Sequence, residues 1–331
     1  MSAPPDSAAP DDEAVVLSPA WLSTVLGRRV TDVAVTQRLE TVATKVRFVV
    51  TYDTGETAAL CAKGYFNPAS RRGPNRTEAD FYSLLASGLP VRTPPCVHSA
   101  VDAGHALILM EDLVADGAQF LDPTVGYRAS DAAGTLDQLA ALHAATWGTR
   151  DTAFPPRLAM LATVVPPELL QKQLDDGRAP DLPQEMRRAD RLLAAMTALA
   201  ASDGDCLVHG DLHTGNVYRL ADGSPGLIDW QVAQFGRWAV DVSYHLAAVL
   251  DPAERAVSER DLLDHYLDRL ASHGAPAPSR EDAWHAYRTH LPYGFYLWAI
   301  TRQVDRPIIE HLTARLGRAV ADHGSFALLG V

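Results

Sequence analysis

The segment Leu207-Val208-His209-Gly210-Asp211-Leu212-His213-Thr214-Gly215-Asn216-Val217 sets a carboxylate and a carboxamide five positions apart between apolar residues. Thirteen residues after Asn216 comes a second carboxylate, in Ile228-Asp229-Trp230-Gln231. The spacing D-x-x-x-x-N is that of phosphoryl-transfer loops, in which the Asp meets an acceptor hydroxyl and the Asn holds Mg²⁺. Mg²⁺ prefers hard oxygen ligands and takes few of them from protein, so Asn216 and Asp229 are the expected metal ligands and Asp211 the expected catalytic group. A competing reading makes His209, Asp211, His213 and Asp229 ligands of a transition-metal pair, as in a metal-dependent phosphoesterase, but Val217, not a further His, follows Asn216.

These residues sit on short strand-like pieces, Cys206–Val208, Val217–Leu220 and Leu227–Ile228, inside a half of the chain that otherwise reads as Ala/Leu-rich helix over 129–147, 183–201, 239–249, 256–272 and much of 281–322. The first hundred residues have a different texture. Ser18-Pro19 opens a short capped helix that ends at Gly27. Val30–Leu39, Thr44–Tyr52 and Thr57–Phe66 are β-branched or alternating, the last two joined by a hairpin turn at Asp53-Thr54-Gly55. A helix over Asn75–Ser87 and strands near Cys96–Val101 and His105–Met110 follow. The expected fold class is α+β, with a disordered tail over 1–13, a β-rich lobe over 14–113 and a mainly helical lobe over 114–331.

His209-Gly210-Asp211-x-His213-x-x-Asn216 with Ile228-Asp229-Trp230 resembles the aminoglycoside phosphotransferase and choline kinase superfamily. Asp229-Trp230-Gln231, Asp241 followed by Tyr244, and Met110-Glu111-Asp112-Leu113 are most similar to its ecdysteroid-kinase-like branch. The resemblance covers about residues 15–320. It implies a bilobal protein-kinase-like fold, ATP and Mg²⁺ as cofactors, and transfer of the γ-phosphate to a hydroxyl of a small molecule. A kinase-fold protein that binds nucleotide without turnover is the other reading it leaves open.

In that frame Lys63, one of only three lysines among 29 basic side chains, is the expected phosphate anchor on the apolar strand Ala58–Lys63, and Glu78 is placed to orient it. Glu111 and Leu113 occupy the lobe-connecting hinge, whose backbone would pair with adenine. The turn Glu40-Thr41-Val42-Ala43-Thr44 contains no glycine, so any phosphate cover there uses Thr41, Thr44 or backbone N–H groups. Gly210 stands where protein kinases carry an Arg that gathers an activation-loop phosphate, which points away from a protein substrate. Asp241, at a helix start, is expected to tie that helix to the catalytic loop. For the acceptor, His213, Arg237, Tyr293, Tyr296 and Trp298 are the expected contacts, and the aromatic ones suggest a ringed, largely uncharged or singly charged hydroxyl compound, with helix-face core packing as the other reading of that cluster.

Composition excludes other classes. The balance of 29 basic and 41 acidic side chains, with no long basic run, opposes a nucleic-acid partner. Three scattered cysteines fit neither a disulfide framework nor a zinc knuckle, and no apolar stretch approaches the roughly 18 residues of a membrane span. A cytoplasmic protein is expected.

Overall fold

The computed structural model describes residues 7–40, 43–67, 76–102, 105–201 and 204–331. Helices α1 (Glu13–Val16) and α2 (Pro19–Leu26) precede strands β1 (Val30–Leu39), β2 (Thr44–Tyr52) and β3 (Thr57–Gly64); α3 (Thr77–Leu84), β4 (Cys96–Asp102) and β5 (His105–Glu111) complete one antiparallel sheet of order β1-β2-β3-β5-β4. The hairpin between β2 and β3 forms where Asp53-Thr54-Gly55 predicts it, with Gly55 at φ 86°.

Alternation decides what each face of this sheet does. Along β2 the even positions are buried, and Val46, Phe48 and Val50 pack with Leu60, Ala62, Leu107 and Leu109 against Val16, Trp21 and Leu22 of the first two helices. Each buried Val, Leu or Phe side chain among them contributes about 1.5–3 kcal/mol. The odd positions point the other way, so Lys45 and Arg47 lie on the face that carries their cross-strand partners Lys63 and Cys61. That face looks toward the rest of the chain.

The expected tail over 1–13 is not loose from residue 7 onward. Ser7, Ala9 and Asp11 are buried; Trp21 Nε1 donates to the Ser7 carbonyl (3.1 Å) and His98 Nε2 to that of Ala8 (2.6 Å). Small, Ala-rich sequence lacks an amphipathic period of its own, but it fits against a preformed apolar surface.

After the sheet, β6 (Gln119–Phe120) leads into α4 (Ala129–Thr146), α5 (Leu158–Leu161), α6 (Pro167–Leu174) and α7 (Ala189–Ala200). Then come β7 (Cys206–Val208), β8 (Val217–Arg219), β9 (Pro225–Leu227) and β10 (Gln234–Gly236), and finally α8 (Trp238–Val249), α9 (Pro252–Ser272), α10 (Arg280–Ile300), α11 (Arg306–Asp322) and α12 (Ser325–Leu328). The short strands form two small sheets, β10-β7 and β6-β8-β9, embedded among the helices. Every residue of α8 is buried, which makes it the central helix of this half. The helical stretch expected over 281–322 divides between Ile300 and Arg306, and Arg178 caps the break: its buried guanidinium donates to the carbonyls of Trp298 (2.9 Å), Ala299 (2.7 Å) and Thr301 (3.1 Å). Among the described residues no helix is long and apolar enough to cross a membrane.

Candidate active site

The loop 209–216 leaves β7 and is held from several sides. Gly210 adopts φ 82°, and a Cβ there would lie 2.8 Å from the Val232 carbonyl and 3.2 Å from the Tyr293 hydroxyl. Glycine is therefore required for both conformation and space. Gly210→Ala is expected to cost about 1–3 kcal/mol, read as a lowered denaturation midpoint. The buried Asp241 carboxylate accepts the N–H groups of His209 and Gly210, both at 2.7 Å, and His143 Nε2 at 3.1 Å. Burial pushes its pKa up, but the bond and charge of His143 outweigh this and hold it below the ordinary carboxylate value. Tyr293 donates its hydroxyl to the Gly210 carbonyl at 2.8 Å, and His245 Nδ1 donates to that of Leu212 at 2.9 Å. His209 spends both ring nitrogens on backbone: Nε2 donates to Ile228 O (2.9 Å) and Nδ1 accepts Asp211 N–H (3.2 Å).

On this frame Asp211 is half-buried, its Oδ1 accepting the Tyr244 hydroxyl at 2.7 Å. Burial lifts its carboxyl to about 7. Asn216 Nδ2 donates to the Asp211 carbonyl at 2.7 Å, so the amide is oriented and its oxygen is turned away from that bond. Asp229, just past β9, is the only non-glycine residue at positive φ (68°) among the described residues. Such backbone is sparsely populated, and Asp is one of the few side chains that tolerate it.

The sheet supplies the opposite wall. Lys63 Nζ lies 2.5 Å from Glu78 Oε2 and 3.2 Å from Asp229 Oδ1, so one buried ammonium joins β3, α3 and the segment after β9. Burial alone would depress this amine, but the Asp229 and Glu78 carboxylates hold its pKa well above the ordinary value. For Asp229 burial acts upward and is outweighed by Lys63 and Lys45, leaving the carboxyl below its usual range. Trp230 fixes the same junction mechanically: it is fully buried, stacked on Phe81 of α3 at 3.9 Å and 9°, and tilted against His209 at 4.5 Å. The aromatic ring beside Asp229 thus packs the Glu78 helix onto the loop 209–216.

Over residues 35–284 the sequence matches the phosphotransferase enzyme family. The chain belongs to that family. Among solved structures, this phosphotransferase-family fold is similar to the choline kinase LicA from Streptococcus pneumoniae (14% identity, 92% of this chain and 96% of that chain, TM-score 0.53). It is also similar to the Plasmodium vivax ethanolamine kinase (12%, 90% and 86%, 0.54) and to a spectinomycin phosphotransferase solved with ADP and spectinomycin (12%, 93% and 97%, 0.52). At these identities the likeness is one of fold. No curated protein sequence matches significantly. The α+β expectation, with an antiparallel sheet followed by a helical region as in kinase-like structures of this family, holds.

Of the residues singled out in the sequence of this phosphotransferase-family protein, Asp211, Asn216, Asp229, Lys63 and Glu78 come together. Leu113 and Glu111 lie where the chain leaves β5: the Leu113 carbonyl accepts Ala118 N–H at 2.9 Å, while its own N–H has no partner among the described residues. Thr44 is buried at the start of β2, opposite Gly64; Thr41 lies outside the described residues. His213 is buried and neutral, burial taking its pKa down to about 4, with Nδ1 accepting Gly215 N–H.

The other acceptor expectations are corrected. Tyr293 and Tyr296 are fully buried and Trp298 nearly so, and each spends its polar atom inside the protein, on Gly210 O, Leu161 O and the Tyr244 hydroxyl respectively. They are core that supports the loop, not an open aromatic wall. Arg237 is not brought to Asp211: it pairs with Asp205 at 3.3 Å, at the end of the β7–β10 ribbon opposite the loop. Sequence reasoning missed Lys45, which faces Lys63 across the β2–β3 ladder and whose pKa is lowered by burial and by that neighbouring ammonium. The available signal was the rarity of lysine combined with the strand register.

Proposed function

We propose that the protein is an ATP- and Mg²⁺-dependent phosphotransferase acting on a hydroxyl of a small molecule. One observation carries this reading: two stretches of chain far apart in sequence, 63–78 and 211–229, bring a Lys–Glu pair, a Mg²⁺-type Asn/Asp pair and an accessible Asp to two facing walls. Phosphoryl transfer needs mainly positioning and charge neutralisation, so this sparse set is sufficient. Asp211 orients the acceptor hydroxyl and takes its proton, Lys63 holds phosphate, Glu78 holds Lys63, and the backbone at Glu111 and Leu113 receives the base. The donor chemistry suits Mg²⁺: Asn216 and Asp229 offer oxygens, whereas His209 and His213 are engaged with backbone. When bound, the ion neutralises phosphate charge. The same histidine bonds disfavour the phosphoesterase reading, and the complete residue set disfavours a catalytically silent one.

The division of the chain at 113/114, a site within the cytoplasm and a place near the ecdysteroid-kinase-like branch belong to this proposal; the branch rests on Asp229-Trp230-Gln231, Asp241 with Tyr244, and Met110–Leu113. With the aromatic cluster buried, nothing now favours a ringed acceptor over other small hydroxyl compounds. The test is ADP formation with Mg·ATP across aminoglycosides, macrolides, sugars, choline-like amines and steroids. Acceptor-dependent ADP formation is expected; none with any acceptor, together with phosphatase activity, would replace this reading by the hydrolase.

Lys63 and Glu78 permit a paired check. Because Glu78 acts through Lys63, Lys63→Ala/Glu78→Ala is expected to be no more than about twofold worse in kcat/KM than Lys63→Ala alone. The double variant is also expected to be the more stable, since Lys63→Ala leaves Glu78 buried without its cation, a loss of about 3–5 kcal/mol. Independent, additive losses would show that the two side chains act separately.

A further inference from the structure

Asp211 is held by a chain of two buried aromatic donors that its catalytic assignment does not by itself require. Trp298 Nε1 lies 2.7 Å from the Tyr244 hydroxyl oxygen, and that hydroxyl lies 2.7 Å from Asp211 Oδ1. An indole N–H can only donate, so the phenol oxygen is the acceptor of the first bond and its single proton is committed to the second. The direction of the chain is thereby fixed from Trp298 to Asp211. Burial and the nearby Asp211 charge raise the Tyr244 pKa well above its usual value, so the phenol remains a donor.

The surroundings hold this line in place independently of any ligand. Gly294 on α10 makes room for it: a Cβ there would stand 2.4 Å from Tyr244 Cδ2. Arg178 clamps the Trp298 carbonyl at the end of α10, and the His213 ring meets the Trp298 ring edge-on at 5.3 Å. Tyr244 and Trp298 are both essentially buried, so neither offers a surface to a substrate.

We propose that Tyr244 and Trp298 are positioning residues that fix the rotation of the Asp211 carboxylate, the phenol holding Oδ1 so that Oδ2 meets the acceptor hydroxyl and takes its proton. This deepens the phosphotransfer reading and rests on it. The Asn216 side chain also bonds the Asp211 carboxyl, so loss of the phenol proton leaves one side-chain donor in place of two and lets the carboxylate turn more easily about its Cβ–Cγ bond; a misplacement of about 1 Å is enough to cost on the order of 10²-fold in rate.

The experiment compares wild type, Tyr244→Phe, Trp298→Phe, Asp211→Asn and the combination Tyr244→Phe/Asp211→Asn, using Mg·ATP and the best acceptor from the panel above. Tyr244→Phe is expected to lower kcat by about 10–100-fold with the KM for ATP unchanged within about twofold. Trp298→Phe should act in the same direction and less strongly. In the Asp211→Asn background Tyr244→Phe should have almost no further effect, because its influence runs through that carboxylate; a merely structural Tyr244 would lower the rate by the same factor in both backgrounds. That additivity, or an unchanged kcat in Tyr244→Phe, overturns the proposal. If Tyr244→Phe does not fold, Trp298→Phe in the presence and absence of Asp211→Asn decides the matter in the same way. A wild type that turns over no acceptor refutes the phosphotransfer reading and this proposal together, whereas an active wild type with insensitive variants refutes only the positioning role.

Discussion

Asp211→Asn is expected to lower acceptor-dependent turnover by about 10²–10⁴ while leaving ATP affinity within about twofold, because a general base contributes to the transfer and not to nucleotide binding. Coupled ADP detection and calorimetric titration with Mg·ATP would measure the two quantities, and near-wild-type turnover would remove Asp211 from its assigned role. The same variant is expected to be more stable than wild type at alkaline pH. Burial raises the Asp211 carboxyl to about 7, so the fold favours its protonated form. The associated stability is complete below about pH 4, is lost as pH rises to about 7, and changes no further above that. Asn carries no such loss. Its advantage should therefore grow from about pH 4 to pH 7 and then level off; each kcal/mol would appear as a shift of about 2–4 °C in thermal midpoint. Such a loss of stability is the common trade expected of a carboxylate in the proposed role.

The second large effect is expected at Asp229. Asp229→Asn keeps a residue type that accepts the positive φ of 68° and removes the charge, so it separates electrostatics from backbone strain. Loss of one charge-assisted partner is worth about 1.5–3 kcal/mol, which predicts Mg²⁺-dependent ATP binding weakened by about 10–100-fold. His213→Ala is expected to be much milder, since its ring is neutral and bonded to Gly215 N–H. Titration of each variant with ATP, with and without Mg²⁺, tests this; equal losses in both variants would make His213 a ligand and revive the metallohydrolase.

The residues of the proposed site were legible in the sequence because much of it is local. Asp211, Asn216 and Asp229 lie within nineteen residues on turns between short strands, and turn geometry places such neighbours without help from distant chain. Lys63 on an apolar strand and Glu78 in the first turn of a helix could likewise be singled out one at a time, from period-two alternation and from the rarity of lysine. Which of them meet was decided by tertiary structure: Lys63 and Asp229 are 166 positions apart and become neighbours only when the sheet closes over the helical region.

Burial of the aromatic residues was decided at the same level. Tyr293, Tyr296 and Trp298 have the composition of a ligand wall, and composition does not say whether a helix face meets solvent or another helix. Packing of α10 on α8, on α5 and on the 209–216 loop buried them and turned their hydroxyl and indole groups onto Tyr244, Leu161 and Gly210. The bonds of Tyr244 to Asp211, Trp298 to Tyr244 and His143 to Asp241 span 33, 54 and 98 positions, and each depends on the register of helices whose sequences carry no record of their partners. Residue type and short-range spacing therefore determined which chemistry this protein can attempt. The orientation of the atoms that would perform it came from long-range packing, because a hydrogen bond needs both partners fixed within a few tenths of an ångström and a local pattern fixes only one of them.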